Sequence, residues 1–238
     1  MRAMDTVGFT AFDEKRINGP VDIDSPDISG RACDAVGGAL KRLFDIFVAL
    51  SAVVMLAPLF ILVAAAVKIA SPGPVLYGHQ RVGYNNRPFR CWKFRSMVVD
   101  GDTVLANYLA ENPAEHEEWT RSRKLRNDPR VTRLGAVLRS SSVDELPQII
   151  NVLMGDMSIV GPRPVVKDEL DMYGDAVTHY LRTRPGITGL WQVSGRSDTS
   201  YDQRISFDTQ YVNNWSMASD VSIIVRTIPA VLSSKGSY

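Results

Sequence analysis

The apolar residues of this chain gather into one long block and many short ones. Ile46 to Val67, IFVALSAVVMLAPLFILVAAAV, runs for 22 residues without a charge. As a straight helix it would measure roughly 33 Å, enough to cross a hydrocarbon core of about 30 Å. Pro58 sits in its middle, where it removes a backbone hydrogen bond and kinks the helix. Both flanks are basic, with Lys41 and Arg42 before the block and Lys68 and Arg81 after it. The enrichment of Lys and Arg in cytoplasmic loops places both ends on the cytoplasmic side. A helix broken at Pro58 that enters and leaves through one leaflet meets both conditions. A single spanning helix meets the length, and on these residues the two readings stand side by side. Residues 1–40 are polar, rich in Gly, Pro and Asp, and without apolar periodicity, so they read as a disordered tail, too long and polar for the start of a signal peptide. The apolar block, taken as 41–71, ends at the breaker Ser71-Pro72-Gly73-Pro74. Residues 72–238 read as a globular domain with no further segment long enough to span.

Within that domain the short patterns predict a mixture of strands and helices. Val75–Tyr77 and Phe89–Phe94 read as strands around a polar loop, Gly83-Tyr84-Asn85-Asn86-Arg87. Thr103 to Arg126 has helical periodicity, with Leu105, Tyr108, Leu109, Trp119 and Leu125 facing inward and a break at Asn112-Pro113. Leu134–Arg139 is a short amphipathic piece. Arg184 to Arg196 reads as turn, short apolar strand and turn, and Tyr201 to Trp215 as a helix. Ser219 then caps a last helix, with Val221, Ile224, Val225, Ile228 and Leu232 on one stripe. That stripe is either core or a face lying on lipid.

Net charge is +1, which gives no global basic field for nucleic acid. The balance hides a basic tract between Lys68 and Arg139, suited to anionic lipid or phosphorylated ligands, although each of its arginines also reads simply as solvated surface. Cys33 and Cys91 are far apart and His79, His116 and His179 are scattered, so neither a disulfide framework nor a zinc site is indicated.

The densest chemistry lies in Leu138–Pro164, LRSSSVDELPQIINVLMGDMSIVGPRP. Asp144 and Glu145 are adjacent acids near a helix start. The structural reading is a capping box from Ser142 to Glu145, with Pro147 arguing instead for a helix that begins near Leu146. The chemical reading is that a carboxylate there meets a phosphate, and that forked arginine donors and a divalent cation offset the repulsion between two anions. Arg139 and Arg163 are the candidate donors, Arg163 being fixed between Pro162 and Pro164. On the strand before them, alternation puts Lys93 and Arg95 on one face as a second candidate anion anchor.

These segments, together with KRLFD at the start of the apolar helix, CWKFRSM and RPGITGLWQVSGR, resemble the small monotopic phosphoglycosyl transferases, the bacterial polyprenyl-phosphate hexose-1-phosphate transferases. The resemblance covers about residues 41–238 and is nearest to enzymes that start exopolysaccharide assembly with galactose-1-phosphate or glucose-1-phosphate. It implies an α/β-like monotopic membrane protein: a Pro-broken re-entrant helix, a small cytosolic catalytic domain and interfacial amphipathic helices. It implies a ping-pong reaction in which Asp144 attacks a UDP-hexose, releases UMP and passes the sugar phosphate to undecaprenyl phosphate. Glu145 assists, Mg2+ sits at Asp144, and Lys93, Arg95, Arg139, Arg163, Arg184 and Arg196 form the substrate-binding set. The implied location is the cytoplasmic face of the bacterial inner membrane, with downstream glycosyltransferases as further partners. One departure is Ala57 before Pro58, where many members have serine, whose hydroxyl would satisfy a freed carbonyl. Two alternatives are a non-catalytic, membrane-anchored module that binds nucleotide or lipid phosphate, and the same chemistry on an N-acetylated sugar.

Overall fold

The long apolar block forms one helix, α1 (Gly38–Ala70), 33 residues long and continuous across Pro58. In the computed structural model, residues 35–122, 125, 127–195 and 199–232 are described. Most of the predicted tail, residues 1–34, lies outside them. Its last residues do not: the helix starts at Gly38, and Val36 N donates to the Arg182 carbonyl at 3.0 Å. The predicted break at Pro58 does not divide the helix into two elements.

One stripe of α1 packs on the rest of the molecule along its whole length. Near its start Ala49 joins Ile149, Val152 and Met157 in one core cluster. Near its end Val63 and Val67 join Phe94 and Leu138 in another. The opposite side presents Phe47, Leu50, Val54, Met55, Ile61, Leu62 and Ile69 to the surroundings. This helix is long and apolar enough to cross a membrane, and its apolar face is contiguous, as a membrane anchor requires.

Arg95 fixes the exit of this helix, donating to the Ser71 carbonyl at 2.6 Å and the Pro72 carbonyl at 2.9 Å. The chain then forms an antiparallel hairpin of β1 (Leu76–Val82) and β2 (Pro88–Phe94), with Tyr77 opposite Lys93 and His79 opposite Cys91. The first strand runs five residues past its predicted end at Tyr77, because the polar stretch Gly78–Arg81 pairs with β2 rather than forming loop. Two helices follow, α2 (Gly101–Glu111) and α3 (Pro113–Ser122), separated at Asn112-Pro113 as the sequence predicts.

The next helix, α4 (Arg133–Ser140), is capped by the Thr132 hydroxyl, which accepts from Gly135 N. Gly135 packs on the backbone of Ser96, where any Cβ would overlap the Ser96 carbonyl. Gly135→Ala is therefore expected to push α4 away from the Ser96 backbone and destabilise the protein by about 1–3 kcal/mol, read as a lowered Tm.

After α5 (Gln148–Met154), β3 (Ser158–Val160) pairs in parallel with β4 (Gly186–Thr188). Their crossover carries α6 (Lys167–Leu170), a 3-10 stretch (Asp171–Ala176) and α7 (Val177–Leu181). Trp191 lies on a short helix, α8 (Leu190–Ser194), rather than in the predicted strand. The chain closes with α9 (Tyr201–Asn213) and α10 (Met217–Leu232). The last helix starts before Ser219, and Ser216 supplies the cap by accepting from Ser219 N at 3.1 Å. On α10, Ile223 is buried, whereas Val221, Val225 and Ile228 of the predicted stripe are exposed.

Candidate active site

Asp144 is 7% exposed, and its neighbours put it there. Val143 and Leu146 pack against the cluster of Val63, Val67, Phe94 and Leu138, drawing the short 3-10 turn Val143–Glu145 into the body. Ser142 enters that turn with φ 57, a left-handed conformation, and makes no side-chain cap. The predicted capping box is therefore not formed, because a left-handed Ser142 cannot present its hydroxyl as an N-cap in extended conformation does. The regular helix α5 begins at Gln148 with Pro147 as its N-cap residue, close to the alternative start.

Freed from capping, Glu145 accepts an ion pair from Lys93 at 2.6 Å. Burial pushes the Asp144 carboxyl up to about 6, with the like charge of Glu145 adding to the rise and Lys93 and Arg139 opposing it. Asp144, Glu145, Lys93 and Arg139 thus form one electrostatic cluster. Arg139 is steadied by its Nε, which donates to Ser96 Oγ at 2.8 Å.

Lys93 is positioned by a residue that the sequence pattern did not single out. Asn151 is fully buried on α5; its side-chain nitrogen donates to the Arg90 carbonyl at 2.7 Å, and its oxygen accepts from Trp92 N at 2.9 Å. A buried amide that pairs with both a carbonyl and an N–H on one edge of β2 locks that strand against α5. An isolated Asn in an apolar run gives no distinctive sequence signal.

Arg163 projects outward from a rigid turn whose flanking Pro162 and Pro164 are buried. Gly161 N donates to the Thr188 carbonyl at 2.9 Å and Gly186 N to the Pro162 carbonyl at 2.8 Å. A Cβ on Gly161 would strike the Arg184 carbonyl, so the two chain segments need glycine to cross this closely. Lys93, Arg81, Glu145 and Arg163 all act on the buried Cys91 thiol, which burial pushes up to about 11. That thiol stays protonated at neutral pH and is no nucleophile. Arg81 in turn pairs with Glu169 at 3.4 Å.

The other candidate arginines fall elsewhere. Arg95 is buried at the exit of α1 because β2 ends at Phe94, and with it the alternation that would have kept Arg95 beside Lys93. Arg184 donates its Nε to the Gly155 carbonyl at 2.9 Å and lies over the Tyr84 ring. Together with Arg42, which donates to the Val152 and Leu153 carbonyls, it satisfies the end of α5. Arg196 lies outside the described residues.

The arrangement brings a buried carboxylate of raised pKa together with the cations Lys93 and Arg139 in a fold that carries one long apolar helix. A profile of the family described as Bacterial sugar transferase matches residues 36–234. The chain belongs to that family. Exopolysaccharide production protein ExoY of Sinorhizobium fredii is 55% identical over 203 residues, 85% of this sugar transferase and 90% of the relative. Undecaprenyl-phosphate galactose phosphotransferase of Salmonella typhimurium is 49% identical over 199 residues, 84% of this chain but 42% of that protein. UDP-glucose:undecaprenyl-phosphate glucose-1-phosphate transferase of Escherichia coli is 37% identical over 212 residues, 85% and 42% of the two chains. This sugar transferase therefore spans less than half the length of the last two.

Proposed function

We propose that this sugar transferase moves hexose-1-phosphate, galactose- or glucose-1-phosphate, from a UDP-hexose to undecaprenyl phosphate and so starts an exopolysaccharide repeat unit. The observation that carries the reading is Asp144: a buried carboxylate beside Lys93, Glu145 and Arg139, within a fold whose one long helix presents an apolar face. The names of the relatives supply the substrate classes.

In this mechanism an oxygen of Asp144 attacks the sugar-bearing phosphorus. The new O–P bond forms as the bond to the bridging oxygen breaks, and UMP leaves with the electron pair. An oxygen of the lipid phosphate then attacks the phosphosugar–aspartate, and the Asp144 carboxylate departs. Arg139 and Arg163 hold phosphate oxygens, and Lys93 shares its charge between Glu145 and the substrate. Asp144, with Glu145 beside it, offers the hard oxygen donors that suit Mg2+ alongside phosphate oxygens. When bound, the ion would screen the charge of the diphosphate.

The packing of α1 supports a monotopic arrangement. One folded body touches the helix near its start, at Ala49, and near its end, at Val67. A spanning helix would carry those ends toward opposite surfaces, where a single cytosolic body cannot follow both. The helix then lies in one leaflet of the inner membrane with the catalytic domain on the cytoplasmic face, and the exposed Val221, Val225 and Ile228 of α10 rest at the lipid interface.

The test is UMP release from a panel of UDP-sugars with undecaprenyl phosphate and Mg2+, followed against pH. The rate is expected to rise as pH passes through about 6, where Asp144 gains its charge. Lys93→Met removes a charge that lowers this pKa, so the acid limb moves to higher pH. Glu145→Gln removes a charge that raises it, so the limb moves to lower pH. Limbs that move together, or UMP release that ignores pH between 5 and 8, would reject Asp144 as the ionising nucleophile.

A further inference from the structure

We infer that the pocket beside Arg163 seats the hexose of the donor, with Asp208 reading its hydroxyls; this rests on the proposed sugar-phosphate transfer and deepens it. The pocket is lined by Arg163, Glu169, Tyr173, Trp191, Arg204 and Asp208. Arg163 lines this pocket, and its charge reaches the buried Cys91 on β2, the strand that also carries Lys93. A donor whose phosphate lies on Arg163 therefore places whatever is attached to that phosphate at the mouth of the pocket.

Asp208 has no structural reason to be a carboxylate. It lies on α9 among core positions, 3% exposed, next in the helix to the buried Tyr211 and Val212. One oxygen, Oδ2, accepts from the Tyr173 hydroxyl at 2.8 Å; Oδ1 has no hydrogen bond among the described residues. A buried carboxylate with a single neutral partner is destabilising, and such a group calls for an explanation. Burial pushes it up to about 7. A ligand hydroxyl donating to Oδ1 would complete its bonding.

The other walls fit the same occupant. Trp191 is an aromatic surface braced by the Arg204 guanidinium 4.7 Å from its ring centre, and Arg204 supplies donors that hydroxyl oxygens accept. A hexose offers hydroxyls that both donate and accept, and apolar C–H edges for the aromatic walls. A second phosphate would face Glu169 and Asp208. A uracil ring would bring one N–H for Asp208, but it stands beyond the ribose and the other phosphate from the reacting centre.

The experiment uses Asp208→Asn, which keeps an oxygen for Tyr173, and Arg204→Gln. UMP release is measured with UDP-glucose, UDP-galactose and an N-acetylated UDP-hexose, alongside inhibition by UMP and the Tm. The expected result is a change of about tenfold or more in the ratio of kcat/KM between sugars, with UMP inhibition nearly unchanged and the Tm of Asp208→Asn not lowered. An equal fall for every sugar would make Asp208 merely structural, and weakened UMP inhibition would give the pocket to the nucleoside; either overturns the inference. Binding of UDP-hexose and of UDP to the same variants separates this inference from the transfer reading. Weaker UDP-hexose binding with intact UDP binding supports the pocket even if the wild type releases no UMP, a result that would sink the transfer alone.

Discussion

Replacing Asp144 with asparagine is expected to abolish UMP release while making the protein more stable. The activity argument is chemical. An amide of the same shape keeps the turn Val143–Glu145 and the packing of Val143 and Leu146, but it cannot form the phosphosugar–aspartate. Loss of a covalent nucleophile lowers turnover by roughly three orders of magnitude or more. The stability argument comes from the raised pKa. In the unfolded chain Asp144 titrates near 3.8 and in the folded protein near 6. Its folded pKa is raised, so its favourable contribution is present below the unfolded value and is lost as pH rises through the folded one. At neutral pH the native state therefore holds an ionised carboxylate that burial penalises, by about 1–3 kcal/mol. Asparagine removes that penalty. The Tm of the variant should exceed that of wild type at pH 8 and approach it at pH 4. An inactive variant with a higher Tm at pH 8 separates lost chemistry from lost folding; a variant that still releases UMP at the wild-type rate would dismiss Asp144 as the nucleophile.

The same contrast between burial and charge shows which parts of the site the sequence could reveal. Asp144, Glu145 and Arg163 stand out as candidates because several unusual residues lie close together in one segment, and the two prolines around Arg163 restrict its backbone wherever the segment folds. The long apolar helix is legible from the length and composition of its segment. Arg95 was not, because strand alternation says which face a side chain takes only while the strand lasts, and β2 ends one residue too soon. Ser142 departs from the capping-box pattern for a related reason: a capping box needs an extended Ser, and the left-handed conformation that Ser142 adopts beside the packed Val143 and Leu146 is not encoded by the residue types. Asn151 and Asp208 left no local trace. Each is a single polar residue in a helix, and its meaning comes from what the tertiary structure places opposite it: the edge of β2 for Asn151, and a pocket for Asp208.

The largest stability effect is expected where the start of the membrane helix meets the last helix. Lys41, near the beginning of α1, donates to Asp220 Oδ2 at 2.7 Å and lies 3.7 Å from Asp45. All three side chains are almost wholly buried. Asp220 also accepts from the Tyr211 hydroxyl at 2.8 Å and Trp215 Nε1 at 3.1 Å, and Asp45 accepts from Ser158 Oγ at 2.8 Å and Ile159 N at 3.1 Å. One ammonium thus answers two carboxylates that tie α1 to β3 and α10. Lys41→Met leaves both carboxylates uncompensated, and breaking a buried pair from one side is destabilising by about 3–5 kcal/mol. Asp220→Asn removes one of the two negative charges, so the double variant Lys41→Met, Asp220→Asn should recover part of that loss, and the coupling energy from the double-mutant cycle should be plainly non-zero. Thermal unfolding in detergent reads both. Additive losses would mean that Lys41 acts by packing its stem alone. If the coupling is found, the charge on Lys41 does more than flank an apolar segment. It is the link through which the anchor and the domain carrying Asp144 fold as one unit.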